Sequence, residues 1–352
     1  MPSRARGAAG GILPHPDRER SMALAREQVW MDAHAHPGRF FLMDLPTEEP
    51  VVKLLGPPDP ERALRELHLG GVRLCAFATV ADLQVLTVTP RGIGAGRDFE
   101  PGEAAADHRR QLGALRRVLE LPGCHLVRRA SELGSVEPDE VGVILTCEGA
   151  DFLEGNLEGL EEVYTEGARS ITLVHYRINE LGDIQTEAPV HGGLSGFGVE
   201  VVREMNRLGM VIDLAHATWE VTRDVLDHSQ APVLISHSHL ARGSDSHPRL
   251  LSREHALAVA RSGGVVAAWP SGVALTSFDE FVDEILRMLD LLDVEHVALG
   301  TDMDANYQPV LTSHEQVPDL AAALLERGAG AETVERVLGG NLVRLFSEVL
   351  AG

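Results

Sequence analysis

Eight short apolar or β-branched runs punctuate this chain, at 29–34, 72–78, 141–147, 170–175, 210–216, 233–237, 264–269 and 296–302. Runs this short with no polar face read as strands buried on both sides. Between them lie stretches with helical spacing, such as Phe197, Val201, Met205 and Leu208, or Phe278, Phe281, Val282, Ile285 and Leu289. Ser277 followed by Glu280 makes a capping box at the start of the second stretch. Strand then helix, eight times over, predicts an α/β chain folded as a (β/α)8 TIM barrel and not as an open doubly wound sheet. The 352 residues fit a single domain of that kind with inserted loops. Residues 1–28 are expected to be a flexible N-terminal tail, 29–352 the barrel, with terminal helices after Pro318 and after Ala331. The connections at 83–106, which holds GIGAG, and 176–195, which holds HGG, are long enough to be lids.

Ligand-type side chains collect at the ends of these runs: His34 and His36, then Glu148, His216, His237 and Asp302. In a parallel barrel the carboxyl-terminal strand ends meet at one mouth, so distant residues can surround one point. Strand alternation puts Asp32, His34 and His36 on a single face. Glu148 is in phase with Ile144 and Thr146, His216 with Ile212 and Leu214, and His237 with Val233 and Ile235. A carboxylate in such surroundings carries a large desolvation penalty that a cation relieves. Four imidazoles and one carboxylate suit two divalent metal ions, with Zn2+ the expected choice. Glu148 is expected to bridge them, with His34 and His36 on one side and His216 and His237 on the other. A hydroxide shared by two cations beside a polarised carbonyl means hydrolysis. Asp302, in phase with Ala298 and Gly300, is placed to accept the proton.

The segments GLSGFGVEVVREMNRLGMVIDLAHAT, PVLISHS and ALGTDMDAN, with LTCEG and DAHAH ahead of them, resemble the membrane dipeptidases, also called renal dipeptidases or dehydropeptidases. The resemblance runs from Trp30 to NLVRLFSEV in the last helix. It implies a binuclear zinc barrel that hydrolyses dipeptides, including those with a C-terminal D-residue, and often a homodimer. By the same resemblance His34, Glu148, His216 and His237 are metal ligands and Asp302 is the catalytic carboxylate. His175, in ITLVHYRIN, matches a histidine that contacts substrate and steadies the oxyanion. Arg249 falls within one residue of an arginine that holds the substrate carboxylate, with Arg242 and Arg177 as alternatives; His239 is a further possible contact. The family pattern HxD is replaced here by His34-Ala-His36, which exchanges an anionic ligand for a neutral one and should favour anionic substrates.

A formal charge of -22 argues against nucleic-acid or anionic-membrane partners, which need clustered Lys and Arg, and leaves a small dipeptide-like substrate. Three scattered cysteines without a CxxC argue against a disulfide framework and for the reducing cytoplasm. No apolar stretch is long enough for a membrane span, a signal peptide or a C-terminal anchor. Two other readings stay open: an amidohydrolase acting on an N-acyl amino acid, lactone or cyclic amide, and a noncatalytic metal-binding barrel.

Overall fold

The eight runs become eight parallel strands of one sheet in the computed structural model, which describes residues 15, 17–89, 92–243 and 246–350. They are β1 (Trp30–Ala35), β2 (Val72–Val80), β3 (Val141–Glu148), β4 (Ala168–Thr172), β5 (Val211–Asp213), β6 (Leu234–Ser238), β7 (Val265–Ala268) and β8 (Val297–Leu299). Neighbours in sequence are neighbours in the sheet, from β1 round to β8. The seam between β8 and β1 is closed past the end of β8, where the Asp302 amide donates to His34 O (2.8 Å) and the His36 amide to Met303 O (2.9 Å). Below it the buried Asp32 carboxylate accepts from the Thr301 amide (2.9 Å), the Thr301 hydroxyl and His314 Nε2 (2.8 Å). The sequence places Asp32 beside the two histidines; the fold spends it on closing the barrel.

Helices cover the outside because their apolar stripes match the sheet. Gly196–Leu208 buries Val201, Val202 and Met205, and Ser195 caps its start by accepting from the Gly198 amide (3.0 Å). Phe278–Leu292 buries Phe281, Val282, Ile285 and Met288. Only half of its expected capping box forms: Ser277 accepts from the Glu280 amide (3.2 Å), but the Glu280 carboxylate turns to the Thr276 amide (2.7 Å). The barrel floor is filled by Met31, Leu74, Ala76 and Ile144 against Leu342, Leu345 and Phe346 of the helix Asn341–Val349. That plug leaves polar chemistry only the opposite, carboxyl-terminal mouth.

Residues 1–14 and 16 of the expected tail lie outside the described residues. Its second half departs from expectation: Arg18–Glu27 is a helix with Ala25 and Ser21 buried. It packs on the helix Val317–Glu326, and Arg18 donates to Glu315 O (2.6 Å). Neither amphipathic periodicity nor a side-chain cap marks this helix, so tertiary packing decides it. Among the described residues no helix is long and apolar enough to cross a membrane.

Several strands end before the residues they were expected to carry. β5 stops at Asp213 and β8 at Leu299, and both His216 (φ 67°) and Asp302 (φ 53°) are in the left-handed region. These side chains reach the mouth from turns and not by strand alternation. Gly300 is needed on the way to Asp302, because a Cβ there would meet Ser236 O at 1.7 Å.

Candidate active site

At the centre of the mouth the buried Glu148 carboxylate ends β3 and is surrounded by five imidazoles. Oε1 lies 3.4 Å from His34 Nε2, 3.2 Å from His216 Nε2 and 3.5 Å from His237 Nε2. Oε2 lies 3.3 Å from His36 Nε2 and 3.4 Å from His175 Nε2. Asp302 Oδ1 stands 3.4 Å from the same His36 Nε2. The five expected ligands thus converge, together with His175 and Asp302. His34 Nε2 lies on the Oε1 side with His216 and His237 and also groups with His36 and Asp302. The register of β1 shifts between Asp32 and Ala35, and the His34 and His36 rings stand 75° apart.

Hydrogen bonds at the outer ring nitrogens assign the tautomers. His36 Nδ1 donates to Ala78 O (3.0 Å). Ser236 Oγ gives its hydrogen to Asp213 Oδ2 (2.6 Å), so its lone pairs accept from His237 Nδ1 (3.0 Å) and His34 Nδ1 (3.4 Å). His175 Nδ1 donates to Asp82 Oδ1 (2.7 Å), and Asp82 Oδ2 accepts from the Tyr176 amide (3.0 Å). In their neutral forms these four imidazoles aim Nε2 lone pairs at an anionic carboxylate. His34 Nε2 and His36 Nε2 are buried with no hydrogen-bond partner, an arrangement that is repulsive until a cation enters it.

In the metal-free site protons take the cation's place on part of this set. Burial would push Glu148 up, but His175 and His34 hold it well below the usual carboxylate range. Burial opposes a charge on His36, yet Asp302 and Glu148 outweigh it and push this imidazole up to about 10. His216 and His237 are pushed well below the usual histidine value, first by burial and then by neighbouring positive groups. The triads His34–Glu148–His237, His34–His36–Asp302 and Glu148–His175–His216 each bring their donor atoms within 4.8 Å of one another. Asp32, Cys75 and His314 also meet this distance, but the Asp32 oxygens are already taken by the seam.

Three supporting residues were not singled out from the sequence. Asp82, past the end of β2, orients His175; Trp269, after β7, donates from Nε1 to Asp302 Oδ2 (3.2 Å); Asp213 holds Ser236. Asp82 and Asp213 carry the same strand-end signal as Glu148, whereas a tryptophan carries none. Of the three arginines, Arg177 pairs with Asp151 (2.9 Å) and Arg242 faces Glu284 (3.6 Å) with over half its side chain exposed. Arg249 is fully buried, lies 5.3 Å from the Trp269 ring centre and donates to Gln185 Oε1 (2.7 Å). Its Nε and Nη2 are buried without hydrogen-bond partners. His239 is buried as well, with Nε2 unpartnered, and burial pushes it down to about 3. A cavity of about 440 Å3 opens over Glu148, His175, His237 and Asp302.

Comparison with known proteins adds the family. The chain is 30% identical to dipeptidase tcpJ of Claviceps purpurea over 74% of its own length and 64% of that protein's, so the match spans less than two thirds of this relative. Its fold is similar to that of the probable dipeptidase PvdM from Pseudomonas aeruginosa (TM-score 0.79, 17% identity, 96% of this chain and 99% of that one). It is also similar to a metallo peptidase from Rhodobacter sphaeroides liganded with a phosphinate mimic of the dipeptide L-Ala-D-Ala (TM-score 0.75, 21% identity, 92% and 99%). The family model for membrane dipeptidase, peptidase family M19, matches residues 61–351, which takes in Glu148, His175, His216, His237 and Asp302 while His34 and His36 precede it. By that match over most of its length, this chain belongs to the membrane dipeptidase family.

Proposed function

We propose that this protein is a metal-dependent dipeptidase holding two divalent ions, Zn2+ by the nitrogen-rich character of the donors, on His34, His36, Glu148, His216 and His237. The observation that carries the reading is the set of imidazole Nε2 atoms converging on the buried Glu148 carboxylate, a donor set that divalent cations fit. When bound, such ions supply Lewis acidity toward a carbonyl oxygen and make water a nucleophile at neutral pH. Glu148 spans the two halves of the donor set through its two oxygens. Asp302 accepts a proton at Oδ1 and passes it to the leaving amine, while Trp269 fixes Oδ2 so that one oxygen always faces the cavity. His175, tethered at Nδ1 by Asp82, presents Nε2 to the oxygen that gains charge as the amide is attacked. Arg249 offers Nε and Nη2 as the paired donors that match a terminal carboxylate. A C-terminal D-residue, as in the mimic bound to the Rhodobacter protein, is part of the proposed substrate range. Cys75, Cys124 and Cys147, all buried free thiols, support a reducing compartment, the cytoplasm.

The test is metal analysis of the purified protein combined with hydrolysis of Gly-D-Ala and of N-acetyl-amino acids, with and without chelator. Two ions per chain and chelator-sensitive release from the dipeptide alone are expected. Turnover of the N-acetyl compounds with equal efficiency would move the reading to a general amidohydrolase; absence of metal and of any hydrolysis would sink it. Asp302→Asn should keep both ions and lose about 100-fold or more in turnover, whereas Glu148→Ala should lose the ions.

A further inference from the structure

Large apolar side chains are exposed at six positions among the described residues, and four of them, Leu54, Val88, Ile93 and Tyr307, line the cavity over Glu148. Leu54 sits on the helix Pro50–Leu55 that follows β1, and is 65% exposed. Val88 and Ile93 sit on a hairpin of Leu86–Thr89 paired with Gly92–Ala95 that follows β2, Val88 being 71% exposed. Phe41, whose ring packs edge-on against His36 at 5.2 Å, continues this wall down to the reacting centre. Contiguous exposed apolar surface joined to a concave site marks a ligand-binding wall.

The strand order says which part of the substrate meets it. Arg249 follows β6, and in a ring of eight strands the sixth position faces the second. A terminal carboxylate at Arg249 puts the C-terminal residue on the β6 side. The peptide bond then lies over Glu148, and the N-terminal residue points toward β1 and β2.

We propose that this wall is an acyl-side specificity pocket, so that the preferred substrates are dipeptides whose N-terminal residue carries a bulky apolar side chain. The proposal rests on the dipeptidase reading and adds its substrate class. A single methylene in such a pocket is worth roughly tenfold or more in kcat/KM. With the metal-loaded enzyme, Leu-D-Ala and Val-D-Ala should therefore exceed Gly-D-Ala by at least about tenfold. In the double variant Leu54→Ser/Ile93→Ser that ratio should fall by about threefold or more. Val190→Ser, an equally exposed apolar position outside the cavity, should leave the ratio as it is. Equal kcat/KM for the three dipeptides in the unaltered enzyme, or an unchanged ratio in the double variant, overturns the pocket and leaves the dipeptidase reading standing. Failure to hydrolyse any of the three overturns both. The wild-type series decides the matter even if the double variant does not fold.

Discussion

At the scale of single residues, a buried carboxylate fixes the ring that the proposed mechanism places at the oxyanion. Asp82 is fully buried and gives both oxygens to one segment, His175 Nδ1 and the Tyr176 amide. Asp82→Asn keeps the shape but can present an amide hydrogen to Nδ1, which favours the wrong ring tautomer. The expected result is a fall in kcat of about tenfold or more with little change in KM; an unaltered kcat would remove Asp82 from the positioning role. His36 is the residue at which this chain departs from the HxD pattern. Because His36 lies within 3.4 Å of both Glu148 and Asp302, its replacement by aspartate would set three carboxylates side by side. His36→Asp should retain metal and lose relative activity on dipeptides with an acidic side chain, because the site becomes about one charge less positive. A substrate profile identical to that of the unaltered protein would show that residue 36 does not set the charge preference.

Elements matter here mainly through where they stop. Alternation along a strand correctly directs Glu148, the last residue of β3, toward the mouth. It does not govern His216 or Asp302, which follow left-handed turns beyond short strands, nor Asp32, which is drawn sideways by Thr301 and His314. The β1–β8 seam lacks a regular ladder and leans on that carboxylate. Asp32→Ala should leave the Thr301 and His314 donors buried without an acceptor, at about 1–3 kcal/mol each, and should lower the urea midpoint and the metal content together. At the other end of the barrel Phe346, fully buried in the floor, should cost about 3–5 kcal/mol on replacement by alanine. Metal content in that variant should persist wherever the chain is folded, because the floor and the mouth are separate layers. Loss of metal from a folded Phe346→Ala protein would contradict that separation.

Over the whole molecule, acid sensitivity is built into buried neutral histidines outside the cluster around Glu148 as well as within it. Burial, with Arg109 adding to it, pushes His108 down to about 3, and burial pushes His255 down to about 4. Their folded-state values lie below the unfolded value near 6.5, so the unfolded chain binds more protons. The stability they contribute is complete above about pH 6.5 and is lost as pH falls through 6.5 toward 3. His108 stacks on Phe152 at 4.0 Å with Nε2 unpartnered, so His108→Phe should move the acid-unfolding midpoint to lower pH. A midpoint that stays in place in urea or thermal melts between pH 7 and 4 would remove His108 as a source. On the same scale, the sequence by itself determined the barrel, its eight strands and most of the side chains that converge at its mouth, because apolar periodicity and proximity to a strand end are local properties that parallel closure turns into one mouth. Only the tertiary structure decided which imidazoles share which oxygen of Glu148, that Arg249 is the arginine left with unpartnered donors, and that Asp82, Ser236 and Trp269 hold His175, His237 and Asp302. Those outcomes depend on turns, register shifts and hydrogen bonds between residues far apart in the chain, and no local pattern encodes a contact that exists only after the ring closes.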